Sequence, residues 1–252
     1  MPIKLVQPNW PAPKRVKAFC TTRAGGGSVA PWDSLNLALH VGDNSAQVLQ
    51  NRQLLATETH LPNPHWLDQI HSTKVITHGS DDTLADGCFA EQENQACIIM
   101  TADCLPILLT DEQGTWVAAV HAGWRGLADG ILSKAVAKYS GKHSLLAWIG
   151  PAISQEFFEV GDDVREEFIN KNKTLEKFFK ANSNKCWQCD LAAIAEYLLQ
   201  QLEPSGTSID VYQSGLCSYD KERDFFSHRR QFHQQGANAT TGRMASAIWI
   251  EQ

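Results

Sequence analysis

The stretch Ala96-Cys-Ile-Ile-Met-Thr-Ala-Asp-Cys104-Leu-Pro-Ile-Leu-Leu-Thr110 decides how the chain is read. Two apolar runs of strand length, Ala96–Met100 and Leu105–Thr110, flank a polar corner, and each reads as a buried strand. A third run, Trp116–Val120, leads into Val120-His121-Ala-Gly-Trp-Arg-Gly126. Between the second and third runs, Asp111-Glu-Gln-Gly114 is a hairpin turn closed by glycine. Neighbouring strands bring their ends together, so the Cys104 thiol and the His121 imidazole are expected at one edge of a sheet.

A third candidate, His71, stands in Asp68-Gln-Ile-His71-Ser-Thr-Lys-Val75, beside another strand-like run. One thiol and two imidazoles form a set that suits zinc, and three protein ligands leave a position for water or substrate. Singly, each of nine histidines and seven cysteines is more often packing than ligand; convergence at strand ends carries the reading. Thiolate plus imidazole also suits copper. Multi-copper oxidation needs several metals and many histidines, and no His-x-His occurs in the chain, so zinc is preferred. The same residues allow a metal-free alternative: Cys104 as a nucleophile activated by His71 or His121, with Asp103 orienting the imidazole and Arg125 or backbone amides stabilising an oxyanion. Cys186-Trp-Gln-Cys189 lacks a second ligand pair and reads as loop packing.

Outward from this centre, the helical period from Trp124 to Tyr139 begins right after His121, so its first amides and Arg125 are expected to face the metal, where a phosphate or carboxylate would bind. Upstream, Lys14–Thr22 reads as a strand followed by Arg23-Ala-Gly-Gly-Gly-Ser28, whose amides could form an anion nest. No Gly-Lys-Ser/Thr follows, so this is no nucleotide P-loop. Asn36, between two leucines, reads first as an asparagine that satisfies backbone. A helix is expected over Ser45–Thr59 with Asn44 or Ser45 as cap. Strands are expected at His65–Ile70, Lys74–Thr77, Gly87–Ala90, Leu145–Ile149, Ser208–Tyr212 and Ala245–Ile250. Val160–Phe179 is helix-rich, and Asp190 caps a helix over Leu191–Leu202. Short strands mixed with helices, without βαβ alternation, give an α+β fold with helices covering sheet faces.

The 252 residues are 43% hydrophobic and 20% charged, with a net charge of −6. Such a chain builds a real core and is expected to be one domain. Scattered acidity and the lone basic pair Arg229-Arg230 argue against nucleic acid. The apolar runs are too short to span a membrane. An odd number of irregularly spaced cysteines and no visible export signal predict reduced thiols in the cytoplasm.

Taken together, Thr21-Thr-Arg-Ala-Gly-Gly26, Ser34-Leu-Asn-Leu37, Val41-Gly-Asp43, Gln69-Ile-His71, Ala85-Asp-Gly87, Thr101-Ala-Asp-Cys104-Leu-Pro106, His121-Ala-Gly-Trp-Arg-Gly126, Ile149-Gly-Pro-Ala152 and Phe226-Ser-His-Arg-Arg230 resemble the bacterial laccase-domain family. Its members are described as purine nucleoside phosphorylases, polyphenol oxidoreductases and peptidoglycan editing factors. The resemblance implies a single domain over 1–252, with stacked mixed β-sheets covered by helices in α/β/β/α layers, and zinc on His71, Cys104 and His121. It also implies phosphorolysis of adenosine, inosine and S-methyl-5'-thioadenosine to base and ribose 1-phosphate, together with adenosine deaminase activity. Cell-wall editing is the further role attached to the family. The zinc-deaminase His-x-Glu and Pro-Cys-x-x-Cys signatures are missing, so Asp86 or Asp103 would have to carry the proton. Arg23, Arg125 and Arg229, with Asn36, are the candidate contacts to phosphate and substrate. The competing readings are a cysteine hydrolase or amidase acting on cell-wall precursors, and a copper polyphenol oxidase. A monomer acting on small molecules, with no nucleic-acid or membrane partner, is expected.

Overall fold

A computed structural model describes residues 2–202, 206–222 and 224–252. Two large mixed sheets dominate it. The first runs in the order β1 (Leu5–Val6), β2 (Val16–Thr21), β14 (Met244–Ile250), β6 (Ala96–Thr101), β3 (Pro64–His65). The second runs β13 (Ile209–Gln213), β9 (Leu145–Ile149), β7 (Leu105–Asp111), β8 (Val117–Ala122), β5 (Gly87–Ala90), β4 (Val75–Thr77). Side chains alternate across each strand, and here both faces are covered, which is why the strand sequences are apolar at nearly every position.

Parity along the strands assigns the layers. In β7, Leu105, Ile107 and Leu109 face helices while Leu108 faces the other sheet. In β6, Cys97 and Ile99 point between the sheets, and Ala96 and Ile98 point outward. The inter-sheet layer also buries Trp148, Phe226 and Ile248. Helix α1 (Ser45–Thr59) covers the outer face of the first sheet through Leu55. Helices α2 (Trp124–Ala128), α3 (Ile131–Val136), α4 (Asp162–Lys171) and α5 (Leu191–Gln200) cover the second. The layers are therefore α/β/β/α, as the resemblance implied. Each fully buried leucine or isoleucine contributes about 1.5–3 kcal/mol relative to exposure. Among the described residues, no helix is long and apolar enough to cross a membrane.

Local chemistry accounts for the boundaries. Asn44 caps α1 by accepting the Gln47 amide at 3.1 Å, and Asp190 caps α5 by accepting that of Ala193 at 3.0 Å. The hairpin between β7 and β8 is tied by the buried Asp111 carboxylate, which accepts the Thr115 and Trp116 amides at 2.6 and 3.0 Å. Gly114, at φ 66°, takes the left-handed position in that turn.

The structure departs from the sequence reading, or adds to it, in several places: the strand expected over His65–Ile70 is confined to Pro64–His65. The single helix over 124–139 is two short ones, broken where Gly130 turns left-handed at φ 87°. Helix α1 buries Val48, Asn51 and Leu55, while Leu49 points to solvent. A small third sheet, β10 (Glu159–Val160), β12 (Trp187–Cys189) and β11 (Phe179–Ala181), pairs segments far apart in sequence. A last helix, α6 (His228–Gln235), follows Ser227, which caps it by accepting the Arg230 amide.

Candidate metal centre

Strand order explains how distant residues meet. The strand ending at Thr101 and the strand beginning at Leu105 lie in different sheets, so Thr101-Ala-Asp-Cys104 is the corner where the chain crosses between them. Within the second sheet β7 and β8 are antiparallel neighbours, with Pro106 opposite His121. Cys104, just before β7, therefore lies beside the end of β8. The expected convergence holds, through the antiparallel neighbours β7 and β8.

His71 arrives on the loop after β3. The Gln69 side chain fixes that loop to β6 at two points, donating to Met100 O at 2.8 Å and accepting from Met100 N at 2.6 Å. His71 itself is left-handed, at φ 58°. That strained turn aims the amides of Ile70, His71 and Ser72 at one carboxylate, the fully buried Asp86, at 3.3, 3.0 and 2.6 Å. Asp86 also accepts the Ser72 hydroxyl at 2.8 Å and lies 2.8 Å from His121 Nδ1.

One ligand atom from each of His71, Cys104 and His121 falls within 4.8 Å of the others. His71 Nε2 is 4.0 Å from Cys104 Sγ, and the two imidazoles meet edge to face. Because Asp86 takes Nδ1 of His121, the remaining nitrogen, Nε2, is the one free to bind an ion. Two nitrogens and one sulfur in this arrangement fit a tetrahedral metal with one position open. Among the described residues this is the one cluster of three or more such groups.

The glycines of the His121-Ala-Gly-Trp-Arg-Gly126 motif have a steric reason. A Cβ on Gly123 would lie 2.8 Å from His71 Cδ2 and 3.2 Å from Cys104 Sγ. On Gly126 it would lie 2.8 Å from the Ser72 carbonyl. Both let α2 close down on the His71 loop.

Charge favours ligation. Burial pushes the Cys104 thiol up, but the charge of His121 and hydrogen bonds from both imidazoles outweigh it and bring the pKa to about 6. Burial pulls His121 down, yet the Cys104 charge and the Asp86 carboxylate raise it to about 9. Without an ion the pair at neutral pH is thiolate and imidazolium, and an ion takes the place of the proton. Asp86, despite burial, is held below the usual carboxylate value by the donors around it.

The triad opens on a cavity of about 330 Å³ whose wall also includes His40, Gln69, Thr101, Arg125, His228 and Arg243. Arg125 is thus where the sequence put it, its guanidinium lying over the Trp124 ring. The other nominated contacts are elsewhere. Arg23 donates to the Asp33 and Glu222 carbonyls, pairs with the Asp33 carboxylate and covers Phe226. Arg229 donates to the Glu159 carbonyl. Asn36 spends its amide on Ala38, Asp43 and the Arg243 amide. The Gly25–Gly27 amides are no anion nest, because Ser34 and Asn51 already accept from them.

Asp103 tethers the corner that precedes the triad's cysteine. At φ 93° it turns the corner before Cys104, and its carboxylate accepts the Ser218 hydroxyl and the Arg229 amide, both at 2.7 Å. It joins the Cys104 corner to the start of α6, and so to His228. Cys189 lies in the core and its thiol is pushed up by burial, in keeping with a packing role for the Cys186–Cys189 pair. His40 and Arg243 had no local sequence signal as cavity residues, and only the chain path brings them there; His228 stands in the Phe226–Arg230 motif, of which the sequence reading nominates Arg229 instead.

The chain is similar over nearly its whole length to known proteins. The family model for the multi-copper polyphenol oxidoreductase laccase matches residues 17–251. The purine nucleoside phosphorylase of Haemophilus influenzae is 40% identical over 99% of this chain and 100% of its own. Purine nucleoside phosphorylase YfiH of Escherichia coli K12 is 40% identical over 98% of this chain and 99% of its own. A solved Neisseria meningitidis protein superposes with TM-score 0.89 at 40% identity, covering 98% of this chain and 99% of that one. YlmD of Geobacillus stearothermophilus superposes with TM-score 0.81 at 28% identity, covering 98% and 96%. Matched over nearly its whole length in both sequence and fold, the chain belongs to the multi-copper polyphenol oxidoreductase laccase family.

Proposed function

We propose that this protein is a zinc-dependent purine nucleoside phosphorylase, one domain over 1–252, converting adenosine, inosine or S-methyl-5'-thioadenosine and phosphate to free base and a ribose 1-phosphate. The observation that carries the reading is the shared cavity: the His71, Cys104 and His121 ligand atoms line the same space as two guanidinium groups, Arg125 and Arg243. At about 330 Å³ it falls within the range of about 300–1,000 Å³ usual for small-molecule sites. Full-length relatives that bear the phosphorylase name support it further.

A zinc ion on the three ligands would supply Lewis-acid polarisation of a substrate oxygen or base nitrogen. Zinc is preferred to the copper of the family's name because a single cluster of three ligands is present among the described residues. The chain's own residues do the rest. Asp86 holds His121 in one tautomer and keeps the His71 loop in its left-handed turn. A guanidinium of the cavity wall, that of Arg125 or Arg243, offsets the charge of bound phosphate. In the reaction a phosphate oxygen bonds to the anomeric carbon as the glycosidic C–N bond breaks. Its electron pair goes to the base, and the proton of hydrogen phosphate ends on a base nitrogen.

Adenosine deaminase activity is the proposed second reaction. Neither Asp86 nor Asp103 carries its proton, since each carboxylate is already taken by several donors. A tie to peptidoglycan editing rests on the motif resemblance. Seven free thiols support a reducing, cytoplasmic location, and a monomer is the proposed state. The test is product analysis with adenosine: a phosphorylase gives adenine and ribose 1-phosphate only when phosphate is added, whereas free ribose formed without phosphate would refute the reading.

A further inference from the structure

The cavity contains a cation that no sequence motif marked. Arg243 stands just before β14, and its backbone N–H donates to the fully buried Asn36 Oδ1 at 3.0 Å. Its Nη1 donates to the Thr241 and Gly242 carbonyls at 2.8 and 3.2 Å, which anchors one side of the guanidinium. Among the described residues no carboxylate forms an ion pair with it, whereas Arg23 pairs with Asp33 and Arg230 approaches Glu222. The opposite charges that act on it are Cys104 and Asp103; Cys104 belongs to the candidate metal centre and Asp103 already accepts from Ser218 and the Arg229 amide, so an anion bound in the cavity would supply the partner that offsets the cost of burying the guanidinium.

Its neighbours suit such an anion. His40 and His228 line the same cavity. Burial and the Arg243 charge hold both imidazoles below their ordinary value, so at neutral pH each is uncharged and can donate one N–H. Asp68 faces His40, and Asp103 and Arg229 face His228. Asp103 is committed to Ser218 and Arg229. The planar fork of an arginine matches two oxygens of a phosphate, and flanking N–H donors can reach a third.

We propose that Arg243, flanked by His40 and His228, is the phosphate subsite of this cavity, holding the inorganic phosphate that attacks the nucleoside. The assignment rests on the phosphorylase reading for its substrate and on the cavity geometry for its residues. It replaces Arg23 and Arg229, which the fold uses elsewhere, and leaves Arg125 to the mouth of the cavity, where it is exposed.

Calorimetric titration of the zinc-loaded protein with inorganic phosphate tests it, with adenosine 5'-monophosphate as a second arm. Arg243→Gln is expected to keep its zinc, to bind phosphate about tenfold or more weakly, and to raise the phosphate KM alike while the adenosine KM moves less than about twofold. Arg243→Lys, which keeps the charge but loses the fork, should fall between, and His228→Asn at the exposed start of α6 gives a milder loss without a folding risk. Unchanged phosphate affinity in folded, zinc-replete Arg243→Gln overturns the subsite. So does phosphate binding confined to the monophosphate, which would make the anion part of the substrate. If the wild type releases no adenine, the phosphorylase reading fails, yet the phosphate titration still decides whether Arg243 holds the anion.

Discussion

His121 Nδ1 lies 2.8 Å from Asp86 Oδ1, and the same oxygen accepts the His71 amide at 3.0 Å, so one carboxylate positions two of the three candidate ligands. Asp86→Asn keeps the shape but removes the charge that favours His121 as a ligand and gathers three amides. Zinc affinity should fall about 10–100-fold, as is usual when a group supporting a ligand is lost. Competition against a chromophoric chelator reads this directly, and an unchanged zinc dissociation constant would show that Asp86 supports only the fold.

Gly123 lies against the triad. Alanine there would put a Cβ 2.8 Å from His71 Cδ2 and 3.2 Å from Cys104 Sγ, so either the imidazole or α2 must move. Gly123→Ala should destabilise by about 1–3 kcal/mol, the usual range for overpacking, and should lower zinc content in the protein that still folds. Denaturant melts and metal analysis of one preparation check both. Full zinc occupancy at wild-type stability would mean the helix start is looser than these contacts imply.

Cys104 separates a metal centre from a cysteine hydrolase. With its pKa brought down to about 6, the free thiolate should react quickly with iodoacetamide at neutral pH. A zinc-held thiolate should be slow until a chelator is added. Mass spectrometry of the Cys104 peptide distinguishes the two, and fast alkylation of zinc-replete protein would favour the metal-free nucleophile.

Metal affinity should depend on pH in a defined sense. His121, raised to about 9, holds a proton in the ion-free protein at neutral pH, and Cys104, at about 6, does not. Between those values this pair gives up one proton per ion bound; below about 6 the thiol is protonated as well and the pair gives up two. Affinity therefore rises with pH and flattens, as far as this pair is concerned, above about 9. The stability of the ion-free protein does not follow the metal affinity, because the two groups act in opposite senses. The His121 contribution is full below its ordinary value of 6.5 and lost as pH rises through about 9. That of Cys104 is full above 9.0 and lost as pH falls through about 6. Calorimetry in buffers of different ionisation enthalpy counts the protons, and zinc binding at pH 7.5 with no proton release from the wild type would contradict the assignment.

What the sequence made legible follows from how local its causes are. Strands β5 to β9 and helix α1 announce themselves through short apolar runs and an Asn cap, and the Cys104–His121 meeting follows from antiparallel neighbours in register. The third sheet was invisible because its pairings join residues near 160, 180 and 188, where no single segment is apolar enough to declare a strand. The anion contacts were misplaced for a similar reason: Arg23 and Arg229 sit in conspicuous motifs, but their guanidinium groups brace carbonyls. Arg243 has an unremarkable neighbourhood and reaches the cavity only because β14 lies beside β6. The need for glycine at 123 and 126 is not local either: a loop about 50 residues upstream is pressed against them.

The most direct test of the account measures metal content and adenine release on the same sample, for the wild type and Cys104→Ala. The account predicts one zinc per wild-type chain and adenine formed from adenosine only when phosphate is present, with both zinc and turnover lost in the variant. Phosphate-dependent adenine release that persists at the wild-type rate in zinc-free protein would contradict it.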